Sequence, residues 1–109
     1  MILFSQARLK KKSQFLRWQP RWFRLNFDSL NLEYYADAQF SQILGRISLS
    51  TSSSHSLQNG VLTLSNVEEL TKGGRKSSYI LRHNDAKAME WWNETLRLAE
   101  QERKLRPQA

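Results

Sequence analysis

Hydrophobic and polar residues alternate along much of the first eighty residues, which is the period of a half-buried β-strand. Residues 18–27 place Phe23 and Leu25 on one face of a strand, and residues 30–35 alternate in the same way. Asp28-Ser29 lies between them and is typical of a tight turn, so the pattern predicts a β-hairpin. Further strands are predicted near residues 2–11, 43–49, 61–64 and 79–81. The short spacing of these segments favours a sheet of about seven strands.

The period of the pattern changes in the last quarter of the chain. Apolar residues there recur at steps of three and four, as on one face of a helix: Met89, Trp92, Leu96 and Ala99. Asn84 or Asp85 is a plausible N-cap, and Pro107 marks where a helix cannot continue. Several strands followed by one helix favour a sheet sandwich or partly open barrel with the helix packed on it.

Two stretches are predicted to be loops. Residues 48–56 hold seven Ser or Thr among nine positions, which indicates a solvated segment. Residues 71–76 contain Gly73-Gly74 and several charges, which indicates a turn. Its distance from the strands predicted on either side predicts a long, mobile hairpin loop.

Composition limits the class of protein. We expect the 109 residues to form one domain, with a core over about residues 2–103 and a tail at 104–109. The absence of Cys excludes disulfides and cysteine-based metal sites. No apolar run approaches the length of a membrane span.

The charge is strongly one-sided. Residues 1–27 carry seven Lys or Arg and no Asp or Glu, whereas the rest of the chain carries ten of each sign. The whole net charge of +7 is therefore concentrated in one N-terminal segment. Such a field predicts an anionic partner.

Four pieces of this sequence resemble the pleckstrin homology (PH) domain. They occur in the family's order. Ala7-Arg8-Leu9-Lys10-Lys11-Lys12 resembles the first strand, and Trp18-Gln19-Pro20-Arg21-Trp22-Phe23-Arg24-Leu25 resembles the second. Leu32-Glu33-Tyr34-Tyr35 and Gly45-Arg46-Ile47-Ser48-Leu49 resemble the third and fourth strands, and Trp92 with Leu96 resembles the C-terminal helix. The resemblance implies a mainly β fold, a seven-stranded bent antiparallel sheet or partly open barrel capped by one C-terminal helix. Trp92 would plug the capped end.

The resemblance also implies a ligand class and a site at the opposite mouth of the barrel. Lipid-binding members hold phosphorylated inositol headgroups there, because Arg meets phosphate oxygens bidentately and Lys acts as a point charge. The residues of this chain that would bind the headgroup are Lys10, Lys11, Lys12, Arg17, Arg21, Tyr34, Lys72, Arg75 and Lys76. Phe15 and Leu16, at the tip of the first loop, would insert into the membrane.

Two positions depart from the pattern of phosphoinositide-binding members. Gln19 stands where the signature has its first basic residue, and Leu44 stands where some members have Arg or Lys. A one-residue slip leaves open whether Lys10 or Lys11 takes the role of the first-strand lysine. We therefore expect modest affinity and loose discrimination among headgroups.

Simpler interpretations stand beside these. The basic run could be a solvated loop, Arg21 could be a salt-bridge partner at the rim, and Tyr34 could be a core residue. Phe15-Leu16 could fold back onto the barrel. Arg24 and Arg46 are interpreted as residues of the outer face.

The leading hypothesis is a non-catalytic, membrane-targeting module that is cytoplasmic and peripheral at a membrane. It would bind phosphoinositides or other anionic lipids and needs no cofactor or metal. The alternative is a protein-interaction domain, which Trp22 and Trp91 would favour if exposed. Nucleic-acid binding ranks below both, because no RNA- or DNA-binding motif is present. Enzymatic activity ranks last, since no catalytic constellation is recognisable.

Overall fold

A computed structural model describes residues 4–12, 18–49, 54–72 and 75–106, with the backbone alone at 4–12, 72 and 75–77. Its mainly β architecture with one C-terminal helix confirms the predicted fold class. The strands are β1 (Phe4–Lys12), β2 (Trp18–Asn26), β3 (Asn31–Tyr35), β4 (Ile43–Ser48), β5 (Ser54–Gln58), β6 (Val61–Glu69) and β7 (Arg75–Arg82). A 3₁₀ turn spans Leu70–Lys72, and helix α1 spans Ala86–Leu105.

The strands form one curled antiparallel sheet. Their order is β4-β3-β2-β1-β7-β6-β5, and β4 pairs in addition with β6, where Ile47 lies opposite Glu69. That extra pairing brings distant parts of the sheet together and makes it a partly open barrel. The predicted β2–β3 hairpin is present, and the Asn26 carboxamide oxygen accepts hydrogen bonds from the Asp28 and Ser29 amides at 3.0 and 3.2 Å.

The core is built from the inward face of each strand. Phe23 and Leu25 are fully buried, as the alternation in β2 predicted. The inward residues of the other strands join them: Leu32, Tyr34, Ile47, Leu62, Leu64, Val67, Tyr79 and Leu81. Burial of these side chains supplies the main favourable term for folding.

Helix α1 covers one end of the barrel. Asp85 is its N-cap, with the side chain accepting a hydrogen bond from the Lys87 amide at 3.0 Å. The predicted stripe is confirmed, because Met89, Trp92, Leu96 and Ala99 are all buried. The indole N–H of Trp92 has no hydrogen-bond partner among the described residues.

Two arginines fasten the end of α1 to the barrel. Arg106 donates to the carbonyls of Phe27, at 2.6 Å, and Asp28, both in the β2–β3 turn, and Arg103 donates to the Leu49 carbonyl at 3.4 Å. We call this region the closed end: α1 with the β2–β3 turn at residues 27–30 and Leu49. Ordered contacts therefore continue past residue 103, the predicted limit of the core.

The prediction of a solvated loop over residues 48–56 is wrong at both ends of that stretch, which are the parts that the structure describes. Ser48 belongs to β4 and is buried, while residues 54–56 belong to β5. Residues 50–53 lie outside the described residues. Ser54–Gln58 becomes a strand because its backbone pairs with β6, so tertiary pairing overrides the low β-propensity of serine.

The prediction of a long hairpin loop between β6 and β7 is also wrong. Strand β6 continues to Glu69 and β7 begins at Arg75, so the connection is short and starts with the 3₁₀ turn. A bulge between Leu64 and Val67, with Asn66 at a positive φ of 55°, lets β6 bend and keep its pairing. No helix in the described part of the chain has the length and apolar character to span a membrane.

Candidate functional site

The end of the barrel opposite the closed end is the candidate site, and we call it the mouth. It lies where β2 begins, β3 ends and the β6–β7 hairpin turns. The ring of Tyr34, near the end of β3, stacks on Phe23 of β2 with centroids 5.5 Å apart. Its hydroxyl donates to the carboxylate of Glu69, the last residue of β6, at 3.4 Å. The β2–β3 hairpin and β6, which is distant from it in sequence, thus converge at the mouth.

Arg21 supplies the cationic side chain of the mouth. It lies two residues before Phe23, so the pleat of β2 places both residues on the same face. Its guanidinium donates to the Pro20 carbonyl at 2.7 Å and to the Gln19 carboxamide oxygen at 3.0 Å. Two of five N–H donors are thereby used, which leaves others for an anion.

Arg21 has no ion-pair partner in the described part of the molecule. No carboxylate oxygen whose position is described lies within 4.0 Å of its guanidinium. The salt bridge considered as a simpler role for Arg21 is thus absent from these residues. An anion at the mouth would meet a positive charge that no neighbouring carboxylate neutralises.

The register of β1 and β2 places Lys10 and Lys11 on opposite faces of the sheet. Lys11 pairs with Gln19 and Leu9 pairs with Arg21, whereas Lys10 pairs with Pro20. Residues directly opposite each other in a sheet share a face. Lys11 therefore lies on the face of Arg21, and Lys10 lies on the other face.

Each of the other predicted binding residues either has only its backbone described or lies outside the described residues. Lys12 pairs with Trp18 at the start of β2, Lys72 ends the 3₁₀ turn, and Arg75 and Lys76 begin β7. Because Arg75 pairs with Glu69, the structure brings the β6–β7 hairpin to the mouth. Phe15, Leu16 and Arg17 lie outside the described residues. Headgroup binding by these residues, and membrane insertion of Phe15 and Leu16, stay predictions.

Glu69 is the site residue that the sequence analysis missed. Its carboxylate is buried, with 1% of the residue exposed. It accepts hydrogen bonds from three hydroxyls: Tyr34 and Tyr79 donate to Oε2, and Thr71 donates to Oε1 at 2.5 Å. No local signal in the sequence indicated it, because Glu69 shares the inward face of β6 with Val67 only after the bulge.

Tyr34 is buried, and its hydroxyl donates a hydrogen bond to Glu69. Burial, followed by the charge and the hydrogen bond of Glu69, raises the pKa of Tyr34 from 10.0 to about 12, while the charge of Arg21 acts in the opposite direction. Arg21 and Glu69 thus both influence the same hydroxyl. The hydroxyl stays protonated at neutral pH and serves as a donor.

Gly45 is required for this position of Tyr34. It lies opposite Tyr34 in the β3–β4 pair, and a Cβ built at Gly45 would overlap the tyrosine ring. The ring can therefore cross the strand only where no side chain is present.

Other candidate residues lie away from the mouth. Arg46 pairs with Glu33 at 3.3 Å on the outer face, and the Arg24 guanidinium lies 5.8 Å from the centroid of Phe40. Trp22 is half-buried, whereas Trp91 on α1 is 43% exposed.

The two histidines of the chain do not form a metal site in the described residues. His55 Nδ1 lies 3.0 Å from Glu100 Oε1 and joins β5 to α1. His83 accepts a hydrogen bond from the Asp85 amide beside the helix N-cap. The described part of the chain contains no group of three or more His, Cys, Asp or Glu able to hold a metal ion.

Comparison with protein families matches the PH domain model to residues 3–101. The solution structure of the PH domain of human oxysterol binding protein-related protein 11 is similar, with 23% identity, a TM-score of 0.75, and coverage of 98% of this chain and 89% of that one. The PH domain of human TBC1 domain family member 2 has 22% identity, a TM-score of 0.72, and coverage of 96% and 87%.

A third similar structure contains a ligand. It is the C-terminal PH domain of pleckstrin in complex with D-myo-Ins(1,2,3,5,6)P5, with 21% identity, a TM-score of 0.72, and coverage of 92% of this chain and 96% of that one. At these identities the likeness establishes the fold. No curated protein sequence matches the chain.

Proposed function

The chain belongs to the PH domain family, and from that premise we propose that it is a non-catalytic module that binds phosphorylated inositol headgroups of anionic membrane lipids. The observation that carries the proposal is Arg21, a cation at the mouth without an ion-pair partner among the described side chains. The inositol pentakisphosphate complex of the pleckstrin domain supports the ligand class.

The charge distribution supports a second contribution from the membrane surface itself. The seven Lys and Arg residues of residues 1–27 have no acidic neighbour in that segment. Each basic residue near an anionic leaflet contributes about 1 kcal/mol, and salt screens this attraction. Headgroup contacts at Lys11, Arg21 and the β6–β7 hairpin would add to it, with Phe15 and Leu16 entering the headgroup region.

Liposome co-sedimentation at physiological salt tests the proposal. Vesicles would be neutral, phosphatidylserine-bearing, or bearing single phosphoinositides. We expect Arg21→Ala to weaken binding to phosphoinositide vesicles about tenfold or more, because a charge-assisted hydrogen bond to phosphate is lost. Arg97→Ala is the matched control, since it removes the same charge from the exposed face of α1, where Arg97 pairs with Glu94.

The outcomes distinguish three cases. Selective loss in Arg21→Ala supports headgroup binding at the mouth. Equal binding of wild type and both variants to every anionic vesicle would mean that the basic segment acts as a diffuse charge patch. Absence of binding to every vesicle would overturn the lipid proposal. A Gln19→Arg variant should bind more tightly, because it restores the missing cation beside Arg21.

A protein-interaction role is the second candidate, favoured by apolar residues on α1. Trp91, Leu98 and Leu105 are 43%, 38% and 80% exposed. Their spacing of seven residues places them along one flank of the helix. A protein bound there would be held by apolar contact, so its binding would change little with ionic strength, whereas lipid binding would fall steeply as salt rises.

A further inference from the structure

The floor of the mouth carries a negative charge where an anion is proposed to bind. Glu69 is buried at the end of β6, and no described cationic nitrogen lies within 4.0 Å of its carboxylate. Its hydrogen bonds come from the neutral hydroxyls of Tyr34, Tyr79 and Thr71. Hydroxyl donors satisfy the carboxylate oxygens, and none of these three groups carries a positive charge.

This carboxylate also occupies hydroxyls that could otherwise meet a phosphate. Tyr34 and Tyr79 both donate to Glu69 Oε2, and each hydroxyl has one proton to donate. A phosphate at the floor would have to compete with Glu69 for those donors and would also be repelled by it. Arg21, whose hydrogen bonds go to Pro20 and Gln19, remains open to an anion at the rim.

We propose that Glu69 is a specificity-determining residue that excludes phosphate groups from the floor of the mouth and confines an anionic headgroup to the rim at Arg21. The inference rests on the proposed headgroup-binding function and deepens it. A headgroup held at the rim is recognised by its total charge more than by the positions of its phosphates. Discrimination among phosphoinositide isomers is therefore weak.

The test is isothermal titration calorimetry of the full chain with inositol hexakisphosphate as the probe. Glu69→Gln keeps the size of the side chain and removes its charge. We expect this variant to bind about three to ten times more tightly than wild type, since one repulsive charge several ångströms from the anion is lost. Thermal unfolding of each variant establishes that it is folded.

Glu68→Gln is the matched control, because it changes net charge equally from the neighbouring position of β6. Glu68 is half-buried and pairs with Ser48 and Lys76, on the face of β6 opposite Glu69. We expect less than a twofold change for this variant. An equal gain in both variants would overturn the inference, because net charge alone would then explain the effect.

Tyr34→Phe provides a second test that does not depend on the folding of Glu69→Gln. If Tyr34 donates only to Glu69, the affinity of Tyr34→Phe for inositol hexakisphosphate stays within twofold of wild type. A loss of about tenfold would identify Tyr34 as a ligand of the phosphate and overturn the inference.

The remaining outcomes separate the inference from the proposed function. Equal binding by wild type and Glu69→Gln would overturn the inference and leave the proposed function standing. Binding by Glu69→Gln but not by wild type would support exclusion by Glu69 and overturn headgroup binding by the natural mouth. Absence of binding by both would overturn both.

Discussion

The closed end and the mouth of this barrel each contain a side chain that is almost completely buried, but the groups around these two side chains differ in chemistry. Trp92 at the closed end is fully buried among apolar side chains such as Met89 and Leu96. Glu69 at the mouth is 1% exposed and is surrounded by hydroxyls. Apolar packing depends on shape and volume, whereas a buried carboxylate depends on every donor that satisfies it.

The difference separates stability from binding. At the closed end, hydrophobic burial and the arginine contacts of α1 hold the strands together. At the mouth, Arg21 and Glu69 place opposite charges near one tyrosine hydroxyl without pairing with each other. Variants of the closed end should therefore mainly change the free energy of unfolding, and variants of Arg21 should mainly change anion binding.

The largest expected effect lies at the closed end. Trp92→Ala removes a fully buried side chain and leaves a cavity, so we expect it to lower the free energy of unfolding by about 3–5 kcal/mol. Urea unfolding followed by circular dichroism measures this. Trp92→Phe is the control and should cost less than half as much, because it keeps an aromatic ring in the site and leaves a smaller cavity. The indole N–H that it removes lacks a described partner. A loss below about 1 kcal/mol in Trp92→Ala would contradict the assignment of Trp92 as the plug.

A smaller loss is expected where the packing of the mouth leaves no space. Gly45→Ala places a methyl group where the Tyr34 ring lies, so we expect a loss of about 1–3 kcal/mol in the same unfolding experiment. In a Tyr34→Ala background the added methyl should cost much less, since the ring is gone. Equal costs in both backgrounds would show that the overlap with Tyr34 is not the cause.

The smallest effect at neutral pH is a titration that becomes visible in alkaline solution. The pKa of Tyr34 is raised from 10.0 to about 12, so the unfolded chain loses its phenol proton first as pH rises. The resulting contribution to stability is complete below pH 10 and is lost as pH rises toward about 12. The free energy of unfolding measured across this range should fall less steeply in Tyr34→Phe.

A residual slope should persist in Tyr34→Phe, because burial also raises the pKa of Tyr35. If wild type and Tyr34→Phe showed identical slopes, Tyr34 would not be protonated preferentially in the folded state, and the contact with Glu69 would be in doubt. Trp92→Phe changes no titrating group and should leave the slope unchanged. The pH dependence of stability should therefore change in the mouth variant and not in the closed-end variant.

Periodicity carried most of the prediction of the fold. The alternation of Phe23 and Leu25 and the stripe of Met89, Trp92 and Leu96 correspond to buried faces, because strands and helices repeat at two and 3.6 residues. Periodicity did not predict the segments whose structure depends on pairing with another strand. Ser54–Gln58 forms β5 through its partner β6, and β6 extends through a bulge to Glu69, which no local pattern of its own indicated.

The sequence alone determined the family resemblance, the position of the net charge and Arg21 as the candidate cation. Tertiary structure decided which groups surround Arg21. The register of β1 and β2 placed Lys11 on its face, and the curling of the sheet placed the Glu69 carboxylate against the Tyr34 hydroxyl, which the charge of Arg21 also influences. The physical reason is range: side-chain periodicity is a property of a few neighbouring residues, whereas Tyr34 and Glu69 meet only after the sheet has curled and β4 has paired with β6.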